Sequence, residues 1–102
     1  MAYVVNVTDS ALQTSGTSYT VSLGAHQAGD LLLCKVSSSI TGTTIAAPGG
    51  WTMVGTQADS QGQRSAWGYK YAASGAETNP AFTVASGHTY GTALVIRGAN
   101  SG

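Results

Sequence analysis

His26 and His88 are the first residues to weigh for chemistry, because imidazole is the side chain that most readily moves protons or binds metal near neutral pH. They stand far apart in the chain, each in a predicted glycine-containing turn. A zinc site needs three or four ligands, and no Cys, Asp or Glu stands at ligand spacing from either, so both read as solvent-exposed turn histidines. Ser86-Gly87-His88 brings a hydroxyl and a base together, but no orienting acid is near and no Gly-x-Ser-x-Gly elbow occurs. Asp59 and Glu77 could be imagined as paired glycosidase carboxylates. Both fall in Gly/Ser-rich turns, where acids are usually solvated. Cys34 is the only cysteine, which excludes an internal disulfide, and its apolar neighbours predict a buried structural thiol rather than a nucleophile. The sequence predicts no catalytic residue, no cofactor and no metal, and hence no enzyme.

Binding without catalysis is the next possibility. Sugar rings stack on exposed aromatic faces, and Tyr90, flanked by His88 and Thr92, could present one; Arg64, His88 and Tyr90 are the candidate ligand contacts. Against this, Tyr90 alternates with Leu94 and Ile96, which predicts a core position for it. Trp51, after Pro48-Gly49-Gly50, reads as a plug folded under its turn. The stripe Trp67, Tyr69, Tyr71 also reads as core, since aromatic rings dominate burial. Asn6-Val7-Thr8 matches a glycosylation sequon by chance.

The charge content narrows the partners. Charged residues make up only 8% of the chain and balance to zero, with Lys35, Arg64, Lys70 and Arg97 against Asp9, Asp30, Asp59 and Glu77. Nucleic acid and anionic membrane surfaces call for a basic concentration that is absent. No apolar stretch approaches the roughly 18 residues of a membrane span. Met1 to Asn6 lacks the basic region of a signal peptide, so the protein is expected to be made and used without Sec export. A surface this poor in charge fits a module whose faces are covered in an assembly.

Period-two alternation organises the chain, and helical signals are nearly absent. Tyr3 to Thr8 alternates. Tyr19, Val21 and Leu23 form the apolar face of a half-buried strand. Leu31 to Val36 is a nearly continuous apolar run broken by Lys35, which turns Leu32, Cys34 and Val36 inward on a central strand. Trp51–Met53, Trp67–Tyr71, Phe82–Val84 and Tyr90–Arg97 follow, with turn residues at Gly24 to Gly29, Pro48-Gly49-Gly50, Gly62, Ser74-Gly75, Asn79-Pro80 and Gly87 between them. Ser37 to Ala47 is a Ser/Thr-rich loop with room for a short edge strand at Thr44 to Ala46. Residues 1–102 are read as one domain, an all-β antiparallel sandwich, Ig-like or jelly-roll-like, of about seven strands.

Four phrases in order, Gly29-Asp30-Leu31-Leu32-Leu33, Pro48-Gly49-Gly50-Trp51-Thr52, Tyr69-Lys70-Tyr71-Ala72 with Pro80-Ala81-Phe82-Thr83, and Ala93-Leu94-Val95-Ile96-Arg97-Gly98, give the chain a resemblance. It resembles a β-sandwich module of bacteriophage virion proteins, especially tail fibres and receptor-binding proteins. The resemblance covers about Ala28 to Gly98 and carries no catalytic residues. It implies a structural or attachment module of the virion, in a tail fibre, tail tip or capsid decoration, made in the host cytoplasm. The implied partners are other virion proteins and copies of the chain itself. The predicted edge strand Ala2 to Thr8 offers an assembly edge, with Val4, Asn6 and Thr8 on one face, away from Tyr3 and Val5. The alternative is a carbohydrate-binding module that recognises a host-cell glycan through its loops.

Overall fold

The computed structural model describes residues 2–55 and 57–98. Among these residues eight strands run in the order β1 (Tyr3–Asp9), β2 (Ser18–Thr20), β3 (Leu31–Ser38), β4 (Thr52–Met53), β5 (Ala58–Ser60), β6 (Gln63–Tyr71), β7 (Ala81–Thr83) and β8 (Thr89–Arg97). The large sheet has the order β1-β8-β3-β6-β4, with β5 also pairing β6, and β2 and β7 form a separate two-stranded ribbon. Every pairing is antiparallel. The fold is all-β, as the alternation predicts.

The strand the sequence reading lacks is β5. Ala58-Asp59-Ser60 has little intrinsic strand preference, and pairing in a hairpin with β6 makes it a strand. The two-residue turn Gln61-Gly62 has positive φ at both positions, 52° and 78°, the backbone twist that suits a tight hairpin. Thr44 to Ala46 forms only a single bridge, Ala46 to Thr83, which is enough to bury Ile45.

The ribbon lies against one face of the large sheet. Tyr19, Val21, Phe82 and Val84 from the ribbon side meet Cys34 and Val36 of β3, Ala66 of β6 and Ala93 of β8 in one core cluster. Leu32, Val95 and Ala72 continue it, with Val5, Leu23 and Trp51 packed alongside. Trp51 meets Phe82 edge-on, with ring centroids 6.1 Å apart. The expected inward set Leu32, Cys34 and Val36 is fully buried.

Large and small residues divide in an unexpected sense. The buried sides of β6 and β8 carry Ala66 and Gly68, and Gly91, Ala93 and Val95. The ribbon's rings need that space. A Cβ on Gly68 would stand 3.1 Å from the Phe82 ring, and one on Gly91 would stand 3.0 Å from both the Lys35 carbonyl oxygen and the Tyr19 ring. The bulky residues of the same strands therefore point the other way. This corrects two sequence expectations. The stripe Trp67, Tyr69, Tyr71 is not core but lies on the uncovered face, with Trp67 37% exposed. Tyr90, expected inside with Leu94 and Ile96, is 46% exposed on that same face.

Candidate functional site

The face of the large sheet that the ribbon leaves uncovered among the described residues is the candidate surface for a partner. Strand register arranges it in rows across β1, β8, β3 and β6. Val4, Ile96, Leu31 and Tyr71 form one row, and Val7, Leu94, Leu33 and Tyr69 the next. Asp9, Thr92, Lys35 and Trp67 form the third. Val4 is 52% and Val7 59% exposed, while the leucines, Ile96 and both tyrosines are half-buried by one another. Tyr69 and Tyr71 meet edge-on at 6.3 Å, so the aromatic stripe is packed along its own strand. Two adjoining rows without a charge on an exposed sheet face exceed what scattered surface apolar residues account for.

The charges explain how little else the surface offers. Arg97 holds Asp30 through two hydrogen bonds, Nε to Oδ1 at 2.9 Å and Nη2 to Oδ2 at 2.8 Å, with the carboxylate buried. These bonds keep the Asp30 carboxyl below its ordinary pKa, against the opposing effect of burial. The Gln27 backbone N–H also donates to Asp30, at 2.9 Å, so the pair ties the entry of β3 to the end of β8. Arg64 holds Asp59 across the β5–β6 hairpin at 2.7 and 3.0 Å. Lys70 donates to Glu77 at 2.7 Å, and the Ala73 N–H donates to the other Glu77 oxygen. Asp59 and Glu77 are each held below the usual carboxylate range by the hydrogen bond from their basic partner. These three pairs use six of the eight charged side chains. The remaining two, Asp9 and Lys35, share the third row of the open face, separated by Thr92, whose hydroxyl donates to Asp9 at 2.8 Å. The Lys35 ammonium lies 5.7 Å from the Trp67 ring centroid, a cation–π contact.

The residues named from sequence fall in different places. β1 is indeed an edge strand, but Val4, Asn6 and Thr8 do not share a face. A β-bulge between Val4 and Asn6 shifts the register, leaving Val4 on the open face and sending Asn6 and Thr8 to the opposite one. Asn6 there donates its Nδ2 to the Ala25 carbonyl at 2.7 Å, and both side chains crowd Gly24 closely enough to exclude a Cβ. Arg64 and Tyr90 point to opposite faces, since Arg64 aligns with Ser38 and Thr89 while Tyr90 aligns with Ser37 and Ser65. The Arg64 guanidinium is already engaged by Asp59. His88 is exposed, with its backbone N–H bonded to the Ser39 hydroxyl. The register thus does not assemble Arg64, His88 and Tyr90 into one site.

His26 corrects the expectation of an exposed turn residue. Its ring is half-buried, with Nδ1 2.8 Å from the Gly24 carbonyl and Nε2 accepting from the Glu77 N–H at 3.1 Å. Only the neutral tautomer protonated at Nδ1 satisfies both bonds. The imidazole thus pins the loop before β3 to the loop after β6. Ser86 accepts from the Gly16 N–H, and Cys34 is fully buried, with burial pushing its thiol up to about 12. Among the described residues no group of three or more His, Cys, Asp or Glu is placed to hold a metal ion, and no helix is long and apolar enough to cross a membrane.

A cleft of about 410 Å³ opens on the ribbon side, lined by Pro48, Trp51, Lys70, Glu77, Asn79 and Pro80 among others. Several of its polar groups already have partners. Lys70 pairs with Glu77, and the Asn79 side-chain oxygen Oδ1 accepts from the backbone N–H of Leu23 at 2.9 Å. Comparison of the chain with known protein families, curated proteins and solved structures gives no match.

Proposed function

We propose that this chain is a non-enzymatic structural or attachment module that works by protein–protein assembly, within a bacteriophage virion. The open apolar face carries the reading. Bulky aliphatic and aromatic side chains from four strands point away from the core, in a protein whose other charges are already paired. Obligate contacts are depleted in Lys and Glu and resemble a core cut in half, which describes this face. The virion setting rests on the resemblance of the four sequence phrases to modules of tail fibres, tail tips and capsid decorations. In that setting the module is made in the host cytoplasm and incorporated during particle assembly.

The test is incorporation. Particles of the phage whose genome carries the coding sequence, assembled with a tagged wild-type chain or with a Leu94→Lys variant, are purified and probed for the tag. Wild type is expected in the particles, and Leu94→Lys is expected to be lost from them while keeping its β-type circular dichroism. Absence of the wild-type chain from particles would overturn the proposal.

The Trp51-lined cleft favours a second reading, recognition of a host-cell glycan. The Trp51 indole in this cleft offers the stacking surface that a sugar ring uses, beside the paired Lys70 and Glu77. Selective binding on a glycan array, lost in Trp51→Ala and retained in Leu94→Lys, would support it.

A further inference from the structure

We propose that the open face is the contact between two copies of this chain, packed face to face about a two-fold axis parallel to the strands. In this arrangement Asp9 of each copy stands against Lys35 of the other. The inference rests on the reading of this face as an assembly surface and names its occupant.

Breadth decides first. Four long strands at about 4.8 Å spacing make a face roughly 19 Å across and about 25 Å long. A docked helix, about 10 Å wide, covers only half of that breadth, and a single added strand covers less. A second sheet matches it. In projection the face is roughly 500 Å² per copy, so two copies bury on the order of 1,000 Å², at the lower bound of a stable biological contact. Side-chain relief raises the accessible area above that figure.

Charge fixes the orientation. The large sheet runs β1-β8-β3-β6-β4, and the midline of its four long strands, β1, β8, β3 and β6, falls between β8 and β3. A two-fold axis along that midline sets β8 of one copy over β3 of the other, and β1 over β6. Each row then meets itself reversed. Leu94 faces Leu33 and Val7 faces Tyr69 in the second row, and Ile96 faces Leu31 and Val4 faces Tyr71 in the first. Small side chains on β1 thus oppose large rings on β6. In the third row Asp9 comes over Trp67, on whose ring the Lys35 ammonium already rests. The two charged side chains that no ion pair among the described residues uses become two symmetry-related Asp9–Lys35 contacts at the rim of an apolar interface. An axis across the strands would instead set the charged row over the Val4–Tyr71 row and leave four charges without partners, a costly arrangement. Aligned packing of twisted sheets at about 30° keeps the rows near the axis in contact.

Sedimentation velocity on the isolated full chain tests this, with Asp9→Lys, Lys35→Asp and the double variant alongside wild type. Wild type is expected as a dimer. Each single reversal sets like charges opposite each other twice and should weaken association by roughly tenfold or more. The double variant restores opposite charges and should recover wild-type association. Asp9 and Lys35 lie outside the core, so circular dichroism should not change in any of the three. Leu94→Lys should be monomeric. A monomeric wild type at high concentration, single reversals that associate as wild type does, or a double variant that stays dissociated would each overturn the dimer. A monomer that still enters particles through this face overturns the dimer and leaves the assembly reading standing. A charge-dependent dimer absent from particles does the reverse.

Discussion

Single residues in this protein owe their states to partners remote in sequence. Asp30 and Arg97 are separated by most of the chain, and nothing local marks them as a pair. In the sequence they read only as two scattered charges. Their geometry gives a pH prediction. The Asp30 carboxyl is held below its ordinary pKa, chiefly by the Arg97 hydrogen bonds, so its folded value lies under the unfolded value of about 3.9. Its contribution to stability is therefore fully present above that unfolded value and is lost as pH falls through the folded one. Asp59 and Glu77 are shifted in the same direction and add to the same acid-side loss. Thermal midpoints measured from pH 7 down to about pH 2.5 should stay level and then drop below about pH 4. The drop should be smaller in Asp30→Asn, which starts from a lower midpoint; an equal drop would show that Asp30 does not carry it. Cys34 was legible because one flanking charge, Lys35, set the strand's sidedness. Fully buried and with its thiol pushed up to about 12, it should resist a bulky maleimide at pH 8 until the protein is unfolded. Rapid native labelling would show that β3 is shifted in register by one residue.

At the scale of the element, alternation told where strands run but not which side they bury. β3, β6 and β8 are apolar on both faces, so period two fixes two candidate faces and volume decides between them. Aromatic size suggested that Trp67, Tyr69 and Tyr71 go inside, and the shared face with Leu94 and Ile96 suggested the same of Tyr90. The ribbon reverses that choice, because the rings of Tyr19 and Phe82 already fill the space above Gly68 and Gly91. A sequence signal for this existed in the small residues Ala66, Gly68, Gly91 and Ala93, which line up across the sheet as a shallow trough. The β1 bulge left no such signal, since Tyr3 to Thr8 alternates without a Gly or Pro to mark it. The trough makes a prediction about Gly91. Its added Cβ would meet a backbone carbonyl and a buried ring, neither able to withdraw easily. Gly91→Ala should destabilise by about 1–3 kcal/mol, read as a lower midpoint in urea. Gly49→Ala, at a position where an added Cβ meets nothing within 4 Å, should change little. Equal effects would remove the packing argument for the trough.

For the whole molecule, the two faces of the broad sheet are unlike. Among the described residues, a two-stranded ribbon covers one of them. One face is closed and the other is left open, and the open one holds the larger side chains. The two faces should therefore answer differently to substitution. Phe82→Ala empties the centre of the ribbon's contact and should cost about 3–5 kcal/mol, a large part of the total stability of a domain of this size. Replacing Leu33, Tyr69 and Leu94 together by Thr puts β-branched residues in their place and should change the stability of the isolated fold far less, by about 1 kcal/mol per site or below. The two states separate most clearly with protein concentration. If two open faces close on each other, association stabilises the folded state by mass action. The wild-type thermal midpoint should then rise as concentration is raised, and the triple Thr variant's should stay constant. A wild-type midpoint independent of concentration, with an unchanged fold, would mean that this face finds its cover somewhere other than on a second copy.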